Sequence, residues 1–169
     1  MSHVLLLDTN VWSHLVLSDV AKRASVQAAL AALQAKYPDA SFATSRICVA
    51  ECLVAARRYQ DAAQRQLAED AFRLFFDDPN VIVVDVTEVV LDQAATLRAE
   101  ALRRAAAGGG TPANPDGGKL KLPDAVVAAS CLDFDPPAVL VTENVRDFRY
   151  TDGLGQVQCV AGLVVECVG

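Results

Sequence analysis

Apolar residues in this chain come in short unbroken runs, separated by longer stretches in which they recur every three or four positions. The unbroken runs read as strands buried on both faces, as in a parallel sheet, and the periodic stretches read as helices. Strands are expected at 3–7, 41–44, 81–84 and 138–142, with one or two more in 157–168 broken at Ala161-Gly162. Helices are expected at 9–17, at 19–36 (Val20, Ala24, Ala28, Leu30, Leu33), at 45–59 with Ser45 as cap, and at 61–76. Two more follow, a long one at 88–107 with Glu/Arg pairs on its surface and one at 123–132 opened by Pro123. Tyr37-Pro38-Asp39 and Asp77-Asp78-Pro79-Asn80 supply stop signals. Strands alternating with helices predict an α/β fold with a mostly parallel sheet, in which ligands gather beyond the carboxyl ends of the strands.

A length of 169 residues and a composition 53% hydrophobic and 21% charged fit one compact domain over 1–169. The segment 108–118, GGGTPANPDGG, reads as a flexible loop. No apolar run reaches the length of a membrane span, and the N-terminus lacks the basic region and cleavage site of a secretory signal, so a cytoplasmic protein is expected. Five cysteines, Cys48, Cys52, Cys131, Cys159 and Cys167, sit in apolar segments without a CxxC pair. Cys48 and Cys52 share a helical face, but nothing completes a tetrahedral set, and buried reduced thiols are the better reading. The 15 basic and 21 acidic residues leave a net charge of −6, which argues against broad nonspecific nucleic-acid binding. A nucleic-acid enzyme stays open, since it concentrates negative charge at a metal site and needs only a local basic rim.

Four acids stand where the pattern does not account for them. Asp8 ends the run VLLLD, either as a helix cap or as part of a site. Glu51 is the only charged side chain in ICVAECLVAA and shares a helical face with Ile47, Val54 and Ala55, so it must be paired, protonated or bound to a cation. Arg46 and Arg57 are candidate ion-pair partners. Asp124 follows Pro123 at a helix start, where the dipole favours an acid. Asp147 lies in TENVRDF, in the loop after a strand, with Asn144 close enough to serve instead.

A parallel sheet could bring all four to one rim. Crowded carboxylates repel unless divalent cations sit among them, and oxygen ligands without His or Cys point to Mg²⁺ or Mn²⁺. Such ions would activate a water and stabilise the leaving oxygen of a phosphodiester, giving hydrolysis without a protein nucleophile. Arg46, Lys119, Lys121, Arg146 and Arg149 flank three of the acids, either as solvated surface charge or as a rim that guides a phosphate backbone.

LLLDTNVW, TSRICVAEC, LPDAVVAASC and LVTENVRDF resemble, in order, the four acidic motifs of PIN-domain ribonucleases, and among them the VapC-type toxins of type II toxin–antitoxin pairs. The resemblance runs from the first strand to Phe148. It implies a three-layer α/β/α sandwich and a Mg²⁺- or Mn²⁺-dependent endoribonuclease acting on single-stranded RNA, with Asp8, Glu51, Asp124 and Asp147 as the catalytic and metal-binding quartet. Thr9 or Asn10 would orient Asp8, while Thr142 and Asn144 would support the last acid. It also implies a homodimer and a cognate antitoxin. An antitoxin Arg would reach Asp8, Glu51 or Asp124, and apolar antitoxin residues would pack around Trp12, Leu15 and Val16.

The chain departs from the family pattern at 108–118, which looks like an insertion, either a lid or partner contact or a passive linker. Two other readings compete within the family: a PIN nuclease of RNA processing or DNA metabolism, and a PIN-like module that binds RNA or a partner without cutting. The second would be expected to lose acids, and all four are present. An aspartyl-phosphate phosphatase would need a second Asp two residues after Asp8, where this chain has Asn10.

Overall fold

The architecture follows from strands whose side chains are apolar on both faces. In β1 (Val4–Leu7), Leu5 and Leu7 point to one side of the sheet and Leu6 to the other, and all three are buried. β4 (Val139–Thr142) repeats the pattern, with Val139 and Val141 on the first side and Leu140 on the second. Such strands need helices on both faces. The molecule is known from a computed structural model, which describes residues 3–106, 120–151 and 156–168.

The main sheet adds β2 (Ser41–Ser45), β3 (Val81–Val84) and β7 (Val165–Cys167) in the order β3-β2-β1-β4-β7, with every neighbouring pair parallel. On the Leu5 face lie α1 (Thr9–Leu17), α2 (Val20–Lys36) and α4 (Ala62–Phe76), joined through Val11, Val26, Leu30 and Phe72. On the Leu6 face lie α5 (Glu88–Ala106) and α6 (Leu122–Leu132), contributing Val90, Ala94, Leu97 and Val127. Helix α3 (Arg46–Arg57) serves both layers, placing Cys48 in one cluster and Cys52 and Ala56 in the other. This is the three-layer α/β/α sandwich the sequence predicts. Among the described residues no helix is long and apolar enough to cross a membrane.

The strand order reverses direction between β1 and β4. The chain first builds outward through β2 and β3, then returns by way of α5 and α6 to lay β4 on the free edge of β1. A crevice forms at such a switch point, beyond the carboxyl ends of the two diverging strands. Asp8 is the first residue past β1, and its backbone N–H extends the ladder to the Val141 carbonyl at 3.0 Å.

Several local expectations are corrected. Arg149–Thr151 forms a strand, β5, paired antiparallel with β6 (Val157–Cys159) in a separate two-stranded sheet. The last apolar stretch does break at Ala161-Gly162 as expected, in a 3₁₀ turn where both take positive φ, 50° and 71°. Ser45 stands at the N-cap of α3 without a side-chain cap bond, because its buried hydroxyl accepts from Ser130 Oγ of α6 at 3.2 Å. Trp12, for which the sequence allows core packing, partner contact or both, is a core residue at 2% exposure; its indole donates to the Leu7 carbonyl at 3.2 Å and packs against Phe75 and Phe76, while Leu15 and Val16 are half-buried. All five cysteines are free, but only Cys48, Cys52 and Cys131 are buried, and Cys167 is exposed. The loop 108–118 lies outside the described residues.

Leu140, fully buried in the central strand, offers a test of this core. Leu140→Ala should destabilise the protein by about 2–5 kcal/mol, a fall in Tm of about 4–20 °C at this chain length. Val164→Ala, at a side chain 53% exposed, should change stability by no more than about 0.5 kcal/mol. Paired urea melts read both.

Candidate active site

Asp8 is delivered to the switch point by β1 and is 5% exposed. Its carboxylate is held from several directions. Oδ1 accepts from the Thr9 backbone N–H at 2.7 Å and lies 4.0 Å from the Cys48 thiol, which donates to it from α3. Oδ2 accepts from Thr142 Oγ1 at 2.8 Å and from Asn10 Nδ2 at 3.0 Å. Thr142 completes its own bonding by accepting from Asn10 Nδ2 at 3.1 Å and from the Asn144 N–H at 3.0 Å. Burial raises the Asp8 pKa, against the lowering effect of the Thr142 and Thr9 hydrogen bonds, and the charge of Glu51 adds to the rise. Thr142 was expected to support the last acid; it supports the first. Asn10 and Thr9 both contact Asp8, as expected, and Thr9 does so through its backbone.

Glu51 is half-buried on α3, and Thr9 Oγ1 donates to its Oε2 at 2.5 Å. Neither candidate ion pair forms: Arg46 binds Asp85 at 2.8 Å and Arg57 binds Glu69 at 3.2 Å. Asp124 enters from the first turn of α6, with a proline beside it at the helix start. Its Oδ2 is buried without a hydrogen-bond partner. Its pKa is pushed up to about 6, first by burial and then by the charges of Asp8 and Asp147, with Lys121 acting in the opposite sense. Asp147 sits in the 3₁₀ turn Val145–Phe148 after β4 and accepts a short hydrogen bond from Asn144 Nδ2.

Asp8, Glu51 and Asp124 line one cleft of about 680 Å³ together with Asn144. Asp147 is behind Asn144, close enough to repel Asp124 but not part of the cleft wall. The donor set suits a hard divalent cation: every acid offers oxygen, and one buried carboxylate oxygen has no partner. Among the described residues no three acid, His or Cys side chains form a ready ligand cage.

The expected basic rim is only partly assembled. Arg146 lines an adjoining cavity that shares Asn10 and Asn144 with the acid cleft, and its Nε donates to Asn144 Oδ1 at 3.3 Å. Lys121 precedes α6 and bears on Asp124 through its charge. Arg46 is engaged with Asp85 and does not line the cleft. Arg149 is exposed, and its charge acts on Glu166 of β7. Lys119 lies outside the described residues. Four cleft residues escaped the sequence reading, Ser13, His14, Ala50 and Arg58. Arg58 carried a usable signal, since it is seven positions after Glu51 and so on the same helical face.

The PIN domain family model matches residues 5–153. No curated protein matches the chain. Among solved structures, a chain of VapBC2 from Rickettsia felis, bound to a DNA fragment from its promoter, is 19% identical with a TM-score of 0.64, covering 98% of this chain and 99% of that one. A chain of FitAcB from Neisseria gonorrhoeae is 19% identical with a TM-score of 0.63 over 95% of each. VapC20 from Mycobacterium tuberculosis, a toxin that cleaves the sarcin–ricin loop, is 17% identical with a TM-score of 0.56, over 80% of this chain and 86% of that one.

The crowding at Asp124 predicts a pH-dependent effect on stability. A carboxyl whose pKa is raised by folding destabilises the folded state above that pKa, and the penalty fades as pH falls through it. Asp124→Asn should therefore raise the Tm of the metal-free protein at pH 7.5, by about 2–4 °C per kcal/mol of repulsion removed. The gain should shrink as pH drops below about 6. Melts in EDTA across pH 5 to 8 measure it.

Proposed function

Because the chain belongs to the PIN-domain family, we propose that it is a Mg²⁺- or Mn²⁺-dependent endoribonuclease, the toxin of a toxin–antitoxin pair. The observation that carries the reading is the convergence of Asp8, Glu51 and Asp124, from residues far apart in the chain, on one cleft where a buried Asp124 oxygen lacks a partner. Glu51 and Asp124 would hold the cation together with Asp8, and Asp147 would act on the site through Asn144. A divalent cation there supplies the acidification of water and the charge neutralisation that hydrolysis of a phosphodiester requires. The protein's own part is to fix the donors: Thr142, Asn10 and Cys48 orient Asp8, and Thr9 orients Glu51.

The toxin assignment is supported by the solved VapBC and FitAB assemblies of similar fold, and the RNA substrate by VapC20. By the same resemblance the protein works as a homodimer in the cytoplasm and is silenced by an antitoxin. The early helices offer that partner a groove of about 270 Å³ lined by Val16, Leu17, Tyr59 and Leu67.

Purified protein freed of any antitoxin should cut total RNA with Mg²⁺ and not with EDTA, as mapped by sequencing the cut ends. Asp8→Asn should lower cleavage at least about a hundredfold, since it removes several kcal/mol of metal-dependent stabilisation, while circular dichroism stays unchanged. Glu51→Gln should do the same. Full cleavage by a folded Asp8→Asn protein, or cleavage indifferent to EDTA, would overturn the reading.

A further inference from the structure

Helix α3 offers the cleft more than an acid. Ile47, Ala50, Glu51, Val54, Ala55 and Arg58 all line it, spaced so that they occupy one face of the helix. From Glu51 to Arg58 the helix rises about 10 Å. Between these charges the wall is apolar, and Val54 is 52% exposed. The other basic residue that lines the cleft, His14, binds Glu143, and Arg57, next to Arg58 in the chain, binds Glu69. Among the described residues the Arg58 side chain has no ion pair or hydrogen bond, although it is exposed and borders a cleft that holds three carboxylates. A planar guanidinium left free in that position matches a phosphate.

We propose that Arg58 binds a phosphate flanking the scissile bond of a single-stranded RNA, whose intervening base lies against the apolar α3 face at Val54. The strand would continue past the acids toward Arg146, whose cavity shares Asn10 and Asn144 with the main cleft. Arg58 stands about two turns along α3 from Glu51, so in this proposal it takes a neighbouring phosphate and leaves the reacting one to the acids. Arg58 is thus a substrate-positioning residue, and the inference rests on the ribonuclease reading above.

A competing explanation is that Arg58 merely complements the negative end of α3, where it is the C-cap. Arg57 separates the two, since it shares that helix end but does not line the cleft. The test measures anisotropy of a short fluorescein-labelled single-stranded RNA bound to Asp8→Asn protein, which should leave the RNA intact. Adding Arg58→Ala should weaken binding about tenfold, as for loss of one charged hydrogen bond. It should also reduce the log–log salt slope by about 0.7, one phosphate's worth on a single strand. Arg58→Lys should restore the slope, Arg57→Ala should leave both quantities unchanged, and in the active enzyme Arg58→Ala should raise KM more than it lowers kcat. Unchanged affinity and slope in Arg58→Ala, or an equal loss in Arg57→Ala, would overturn the proposal while the ribonuclease reading stands if the wild type cuts RNA. A wild type that neither binds nor cuts RNA would overturn both.

Discussion

The hydrogen bond from Thr142 to Asp8 is the constraint on which the site depends. It joins the carboxyl ends of β1 and β4, the two strands that diverge at the switch point, and it spans 134 residues of sequence. A buried carboxylate is costly unless donors surround it, and here the donors come from β4, from the start of α1 and from α3. Asn10 adds a second tie, because its Oδ1 accepts from the Glu143 N–H at 3.1 Å while its amide serves Asp8 and Thr142. The acid is therefore fixed by the sheet and two helices at once, and its position is as rigid as the core beneath it.

The same cleft is the least comfortable part of the molecule electrostatically. Burial and neighbouring acids raise the pKa values of both Asp8 and Asp124. The Cys48 thiol beneath them is pushed up to about 12, first by burial and then by Asp8, so it stays protonated and can act only as a donor. Elsewhere acids are neutralised in the ordinary way. Glu143 is held below its usual pKa by Lys22 and His14, and Glu166 by Lys36. Among the described residues Asp8 and Asp124 are the two carboxyl groups whose pKa is raised, a pattern common at functional sites.

What could be read from the sequence was set by how local its cause is. The apolar runs of β1 and β4 were legible because strands covered on both faces must be apolar at every position. β5 was not, since Arg149-Tyr150-Thr151 carries no such run and is a strand only because β6 pairs with it. Thr142 was assigned to the wrong acid for a similar reason. Along the chain it is near Asn144 and Asp147, but the β1–β4 register, Leu7 opposite Val141, puts it across from Asp8. Ser45 occupies the cap position that local rules give it, yet its hydroxyl is taken by Ser130. The acids themselves were legible because a carboxylate in an apolar segment demands an explanation from sequence alone.

The order of the strands also dictates when the site can exist. During synthesis β1, β2 and β3 emerge early and can pair with one another, but the second edge of β1 stays open until β4 has been made and has packed against it. Asp8 precedes the hydroxyl that holds it by 134 residues. A growing chain therefore carries this acid through the synthesis of three more strands and their helices without the partner that orients it, so the cleft is assembled only once β4 has been made.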